Sequence, residues 1–201
     1  EDITVGTPVA NRNRGITKEI IGCMANLVAL RVKFSKNQTV SELLATIWQA
    51  VKSSFINAEV PYNEILKILV NNRNGRNADL FNTMFNMLGR MPQLNFSGQQ
   101  VDVSPGENPS CEFDLVIEIS EINAMMNIAF VYDHDLFKSE TISDMAHHYL
   151  DMIQIMVEEQ DKPISKLKDY SLKYESLKNH EKPQISSLVE SVPHSPPITA
   201  M

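Results

Sequence analysis

Glycine is scarce in this chain, with 7 among 201 residues, and cysteine scarcer, with 2. No glycine-rich loop able to cradle a phosphate is present, nor a Gly-x-Ser-x-Gly elbow, nor a His-Glu-x-x-His run. Cys23 and Cys111 have no Cys-x-x-Cys spacing, so neither a zinc site nor a disulfide framework is indicated and both read as reduced thiols. No apolar run approaches the ~20 residues of a membrane span. The N-terminus carries neither a signal pattern nor an initiator methionine, so the chain reads as cytoplasmic and cut from a longer one. Basic residues do not cluster beyond a pair, and a net charge of −7 argues against a nucleic-acid groove.

What is present is a soluble-type alternation of strands and helices. Residues 2–10 are β-branched and read as a strand ending at a turn, because Gly6 and Pro8 punctuate the run. From Asn26, residues 26, 28, 30, 32 and 34 share one strand face, and Leu27, Ala29, Arg31 and Lys33 share the other. An amide at the head of a buried strand must satisfy up to four hydrogen-bonding positions, so Asn26 either ties down a loop or faces a polar cavity. Thr39 and Glu42 form a capping box ahead of a helical stripe of Val40, Leu43, Leu44, Ile47, Trp48, Val51 and Phe55, which places Trp48 in the core. Pro61 restarts a helix, since its fixed φ suits a first helical position. That helix runs to the polar cluster at Asn71.

Between Gly89 and Pro109 the chain makes an excursion with two short strands, Leu94–Phe96 and Val101–Val103. Phe113, Leu115, Ile117 and Ile119, then Met126, Ile128, Phe130 and Tyr132, alternate as an antiparallel hairpin with one core face. Ser139 caps a helix with the stripe Ile142, Met145, Ala146, Tyr149, Ile153 and Met156. The methionines at 84, 87, 91, 125 and 126 read as core filler or a soft hydrophobic lining, core being favoured. Residues 171–201 form a tail, and 176–201, proline- and serine-rich, read as a disordered linker.

His147-His148 is the tempting catalytic pair. It lies within the amphipathic helix, with Asp144 four residues before His148 and Asp151 three after, which reads as a charge-paired exposed face. Asp133 and Asp135 flank a turn and form no site on spacing alone. No metal site and no catalytic residue is assigned.

Several stretches together resemble the C-terminal part of nonribosomal peptide synthetase condensation domains, over residues 1–170. Gly22, Asn26 and Arg31 match Gly-x-Phe-Val-Asn-Thr-x-x-x-Arg, with Cys23-Met24, Ala25 and Leu27 departing from it. Gly6, Pro8 and Arg12 match Gly-x-Pro-x-x-x-Arg. Pro61 is kept in Asn57-Ala-Glu-Val-Pro-Tyr62, where Ala58 and Glu59 replace glutamine and aspartate. Arg76 to Phe85 resembles Arg-Asn-x-Leu-Phe-x-x-x-Phe with one extra residue, and Asp135-Leu-Phe137 resembles the Asp-Leu-Phe near the domain end.

The resemblance implies an α/β fold of the chloramphenicol acetyltransferase-like type, a two-layer sandwich of which this chain is the distal part of the second lobe. It implies amide formation between aminoacyl or peptidyl thioesters carried on phosphopantetheine, as in secondary metabolite biosynthesis, with no cofactor bound directly. The implied partners are the N-terminal lobe and the donor and acceptor carrier proteins. The family's His-His-x-x-x-Asp-Gly motif is not on this chain, so the chain alone is expected to be inactive. Asn26 and Arg12 are then candidates for the substrate tunnel. Gly6, Gly22, Arg31, Pro61 and Asp135 become structural motif positions, and the excursion at 90–112 an edge awaiting a partner surface. Two alternatives stay open: a degenerate, non-catalytic interaction module, and another thioester-dependent acyltransferase of the same superfamily.

Overall fold

The computed structural model describes residues 1–12, 15–71, 80–90, 94–96, 99–101, 113–122, 124–167 and 189–192. The elements run β1 Asp2–Val9, α1 Gly15–Lys18, β2 Asn26–Lys33, α2 Val40–Ile56, α3 Tyr62–Asn71, β3 Thr83–Arg90, β4 Leu94–Phe96, β5 Gln99–Val101, β6 Leu115–Ile122, β7 Met125–Asp133, α4 Ser139–Glu158 and β8 Val189–Val192. They form two units, Glu1–Asn82 with Tyr149–Lys182, and Thr83–His148 with Pro183–Met201.

In the first unit β1 and β2 pair antiparallel from Asp2↔Lys33 to Val9↔Asn26. Pairing with β2 keeps β1 extended through Gly6 and Pro8 to Val9, within the strand read over residues 2–10. Val9, Val28 and Ala58 form a buried cluster with Leu30 packed against it, so the face that carries Asn26 is the one that turns inward. Helix α2 packs on β2, and the Ser54 hydroxyl donates to the Ala29 carbonyl at 3.3 Å.

The start of α2 carries a capping box. The Thr39 side chain accepts from the Glu42 N–H, and the Glu42 carboxylate accepts from the Thr39 N–H. The Ser41 N–H, another orphan of the first turn, donates to the Gln160 carbonyl. Ile164 and Ser165 donate to the carbonyls of Gln38 and Lys36. Val40, Ile155 and Leu167 close the adjoining cluster beneath these bonds.

The stripe on α2 is only partly used. Trp48 is 64% exposed, and Leu44, Phe55 and Ile56 are exposed with it. This corrects the expectation of a core tryptophan. An apolar stripe about 100° wide marks the face able to be covered, and β2 reaches one flank of it.

In the second unit β3 and β6 are parallel, β6 and β7 antiparallel, and β7 and β8 parallel. The register of β3 shifts between Met87 and Gly89. β4 and β5 pair as a separate antiparallel ribbon. The second described strand of the excursion is Gln99–Val101; residues 102 and 103 of the expected Val101–Val103 lie outside the described residues.

Leu115, Ile119, Phe130 and Tyr132 are buried on one face of the β6–β7 hairpin, but Val116 and Val131 are buried on the other. Both faces of that hairpin thus carry core. Met84 packs against Val116 and Val131, whereas Met87, Met125 and Met126 are exposed. The filler role read for these three methionines is corrected accordingly; Met125 and Met126 open β7, where cross-strand cover runs out, and Met87 adjoins the register shift of β3. Met91 lies outside the described residues. Val189–Val192, inside the stretch read as a linker, pairs with Phe130–Asp133; the remainder of 176–201 lies outside the described residues. Among the described residues no helix is long and apolar enough to cross a membrane.

Candidate functional site

Of the polar groups singled out in the sequence, Asn26 and Arg12 hold the loops that flank β2. The Asn26 amide nitrogen donates to the carbonyls of Ala58 at 2.9 Å and Val60 at 2.8 Å. Its oxygen accepts from the backbone N–H of Tyr62 at 3.1 Å. Tyr62 is the first residue of α3, whose opening N–H groups have no partner within the helix. Pro61, just before it, offers none, and its carbonyl accepts the helical bond from Ile65. Asn26 is thus an N-cap supplied from a strand 36 residues away, and both donors of its amide hold the loop that leads into the helix.

The same loop is fixed from its other side. The Tyr62 ring packs on the Phe81 ring, centroids 5.3 Å apart at 39°. Phe81 is buried and lies directly over Gly6 of β1, where a Cβ would overlap its ring. Gly6 is therefore required by close approach, and Gly6, Phe81, Tyr62 and Asn26 form one connected chain of contacts. Sequence reading set Phe81 within the Arg76 to Phe85 segment but gave it no site role; a glycine inside a β-branched strand, which marks a place where another group comes close, was the available signal.

Arg12 has three acceptors, the carbonyls of Thr17 at 2.6 Å, Ile20 at 2.7 Å and Gly22. A guanidinium with five donors in a rigid fork suits that task, and a cation belongs at the carbonyl end of α1. Gly22 has φ +148°, a conformation that side chains strain to adopt. The segment so held displays a fully exposed Ile21 and an exposed Cys23. Cys111 lies outside the described residues.

Arg31, on the opposite face of β2, makes two parallel bonds to the Asp2 carboxylate of β1, Nε to Oδ1 at 2.9 Å and Nη2 to Oδ2 at 2.7 Å. Hydrogen bonding to Arg31 is the main cause that holds the Asp2 carboxyl below its ordinary value, and the same bond raises Arg31.

At the end of β7, Asp133 is buried; its Oδ1 accepts from the Asp135 N–H at 2.8 Å, and its carbonyl accepts from Leu136 and Phe137. Asp135 thus stands in the turn that leads to α4, and the His134 ring nitrogen lies 3.0 Å from its carboxylate. Candidate ligand atoms of Asp133, His134 and Asp135 lie within 4.8 Å of one another. His147 and His148 are both exposed on α4, and the His147 ring contacts the Ser143 carbonyl at 2.7 Å.

Residues 1–175 match the family model described as Condensation domain. Tyrocidine synthase 3 of Brevibacillus parabrevis is 31% identical over 180 residues, 89% of this chain and 3% of that protein. Gramicidin S synthase 2 of Brevibacillus brevis is 28% identical over 159 residues, 78% of this chain and 4% of that protein. The chain therefore spans a few per cent of the length of these curated relatives. Among solved structures, the starter condensation domain of rhizomide synthetase superposes with a TM-score of 0.68 at 20% identity, covering 81% of this chain and 39% of that one. That likeness shows the fold, α/β of the chloramphenicol acetyltransferase-like type. With the family model matched from β1 through α4, across the loops held by Arg12 and Asn26, the chain belongs to the condensation domain family.

Proposed function

We propose that this chain is the C-terminal lobe portion of a nonribosomal peptide synthetase condensation domain, and that the parent domain joins two acyl groups tethered to carrier proteins. The acceptor amine attacks the donor thioester carbonyl. A C–N bond forms, the C–S bond breaks, the phosphopantetheine thiol leaves and the amine proton passes to a base. Such a reaction needs oriented reactants, proton management and stabilisation of the tetrahedral oxyanion. The reacting histidine comes from the missing N-terminal lobe, and this chain supplies tunnel wall and lobe–lobe contacts. The observation that carries this reading is the condensation match over residues 1–175, with relatives that are tyrocidine and gramicidin S synthases.

Asn26 and Arg12 serve the tunnel as positioning residues. Each directs its side-chain donors to backbone carbonyls, so their influence on bound substrate passes through the loops they hold.

The test is amide formation between donor and acceptor aminoacyl carrier proteins, run with the intact protein and with the 201 residues alone. The intact protein is expected to form the amide and the isolated chain none; amide formation by the isolated chain would refute the division of labour. An intact protein that forms none, with a broken His-His-x-x-x-Asp-Gly in its upstream reading frame, would favour the non-catalytic interaction module. Turnover of coenzyme A thioesters in place of carrier-bound ones would favour the other acyltransferase reading.

A further inference from the structure

The β3–β6–β7 sheet carries an acid in the middle of one face. Leu115, Ile119, Phe130 and Tyr132 bury the opposite face. On the face that holds Val116, the next same-facing position of β6 is Glu118, roughly 7 Å along the strand. It stands between Asn86 of β3 and Ala129 of β7. The Asn86 amide nitrogen donates to Glu118 Oε1 at 3.1 Å, which fixes the carboxylate and leaves Oε2 for another donor. Ala129, with only a methyl side chain, offers the carboxylate no polar partner on the other side.

Glu118 is half-buried, and among the described residues no cation pairs with it; Arg90, on the neighbouring strand, pairs with Glu121. A half-buried carboxylate braced by a neutral amide favours a cationic ligand, because a charge-assisted hydrogen bond is about twice as strong as a neutral one and offsets the cost of desolvating the acid.

We propose that Glu118, oriented by Asn86, binds the protonated amine of an aminoacyl group entering on a pantetheine arm, and so selects free-amine acceptors over N-acylated ones. This deepens the function proposed above and rests on it. Glu118 acts in binding; the proton is lost to another group before attack.

The test uses the intact protein and two hydrolysis-proof probes, amide-linked glycyl-pantetheine and its N-acetyl analogue, with affinity measured by calorimetry for wild type and Glu118→Gln. Glutamine keeps an oxygen for Asn86 and removes the charge. Wild type is expected to favour the free amine by about tenfold or more, and Glu118→Gln to lose that preference while its affinity for the N-acetyl probe stays unchanged. Equal preference in the two proteins, or no binding of either probe, would overturn the proposal. Amide formation measured in parallel separates the two readings. Turnover without amine preference keeps the synthetase function and removes the Glu118 role, whereas amine preference without turnover does the reverse.

Discussion

Asn26 has all three of its hydrogen bonds on the loop and helix start at 58–62, so its removal strands two carbonyls and one N–H together. Asn26→Ala is expected to destabilise the protein by about 1–3 kcal/mol in urea titration. Asn26→Asp should do no better, since a carboxylate still accepts from Tyr62 but meets the carbonyls of Ala58 and Val60 oxygen to oxygen. A wild-type midpoint for the aspartate variant would show that the donors are dispensable.

Asp2 makes a pH prediction. Its folded pKa is lowered, chiefly by the hydrogen bond from Arg31, so the ionised form stabilises the fold fully above the unfolded value of about 4. That stabilisation is lost as pH falls through the lower folded value. Melting temperatures of wild type and Asp2→Asn should therefore differ at pH 6 and converge toward pH 2. The gap should be small and shrink in salt, because the pair is exposed. A gap that widens on acidification would contradict the assignment.

Strands and helices make a different kind of claim, about fit. The capping box of α2 was legible because Thr39 and Glu42 are three residues apart and act locally. The approach of Phe81 to Gly6 was not, because the two lie 75 positions apart and the packing of the chain between them decides it. Gly6→Ala is expected to cost about 1–3 kcal/mol by overpacking. Adding Phe81→Leu should recover part of that loss, as coupled neighbours do; strictly additive losses in a double-mutant cycle would place the ring elsewhere. The spacing of Asp133, His134 and Asp135 likewise showed a turn, but only the Asx-type bond from the Asp135 N–H to Asp133 shows how that turn is closed.

For the chain taken entire, the reporter is Trp48, its sole tryptophan. At 64% exposure it should emit close to free tryptophan and be quenched freely by acrylamide; a blue-shifted, protected emission from the 201 residues would show the α2 stripe covered. The stripe itself was readable from period alone, and so were the faces of β2; the α2 cap was readable from residue type and spacing, and the family motifs from resemblance. What period does not state is which apolar face finds cover, where a polar side chain finds its partners, or that a proline-rich tail yields a strand on β7. Asn26 shows the difference. The sequence by itself determined that an amide at the head of a strand needed partners; only the tertiary structure decided that they are the Ala58 and Val60 carbonyls and the opening N–H of α3, because those groups become neighbours when β2 and the α2–α3 loop pack against one another.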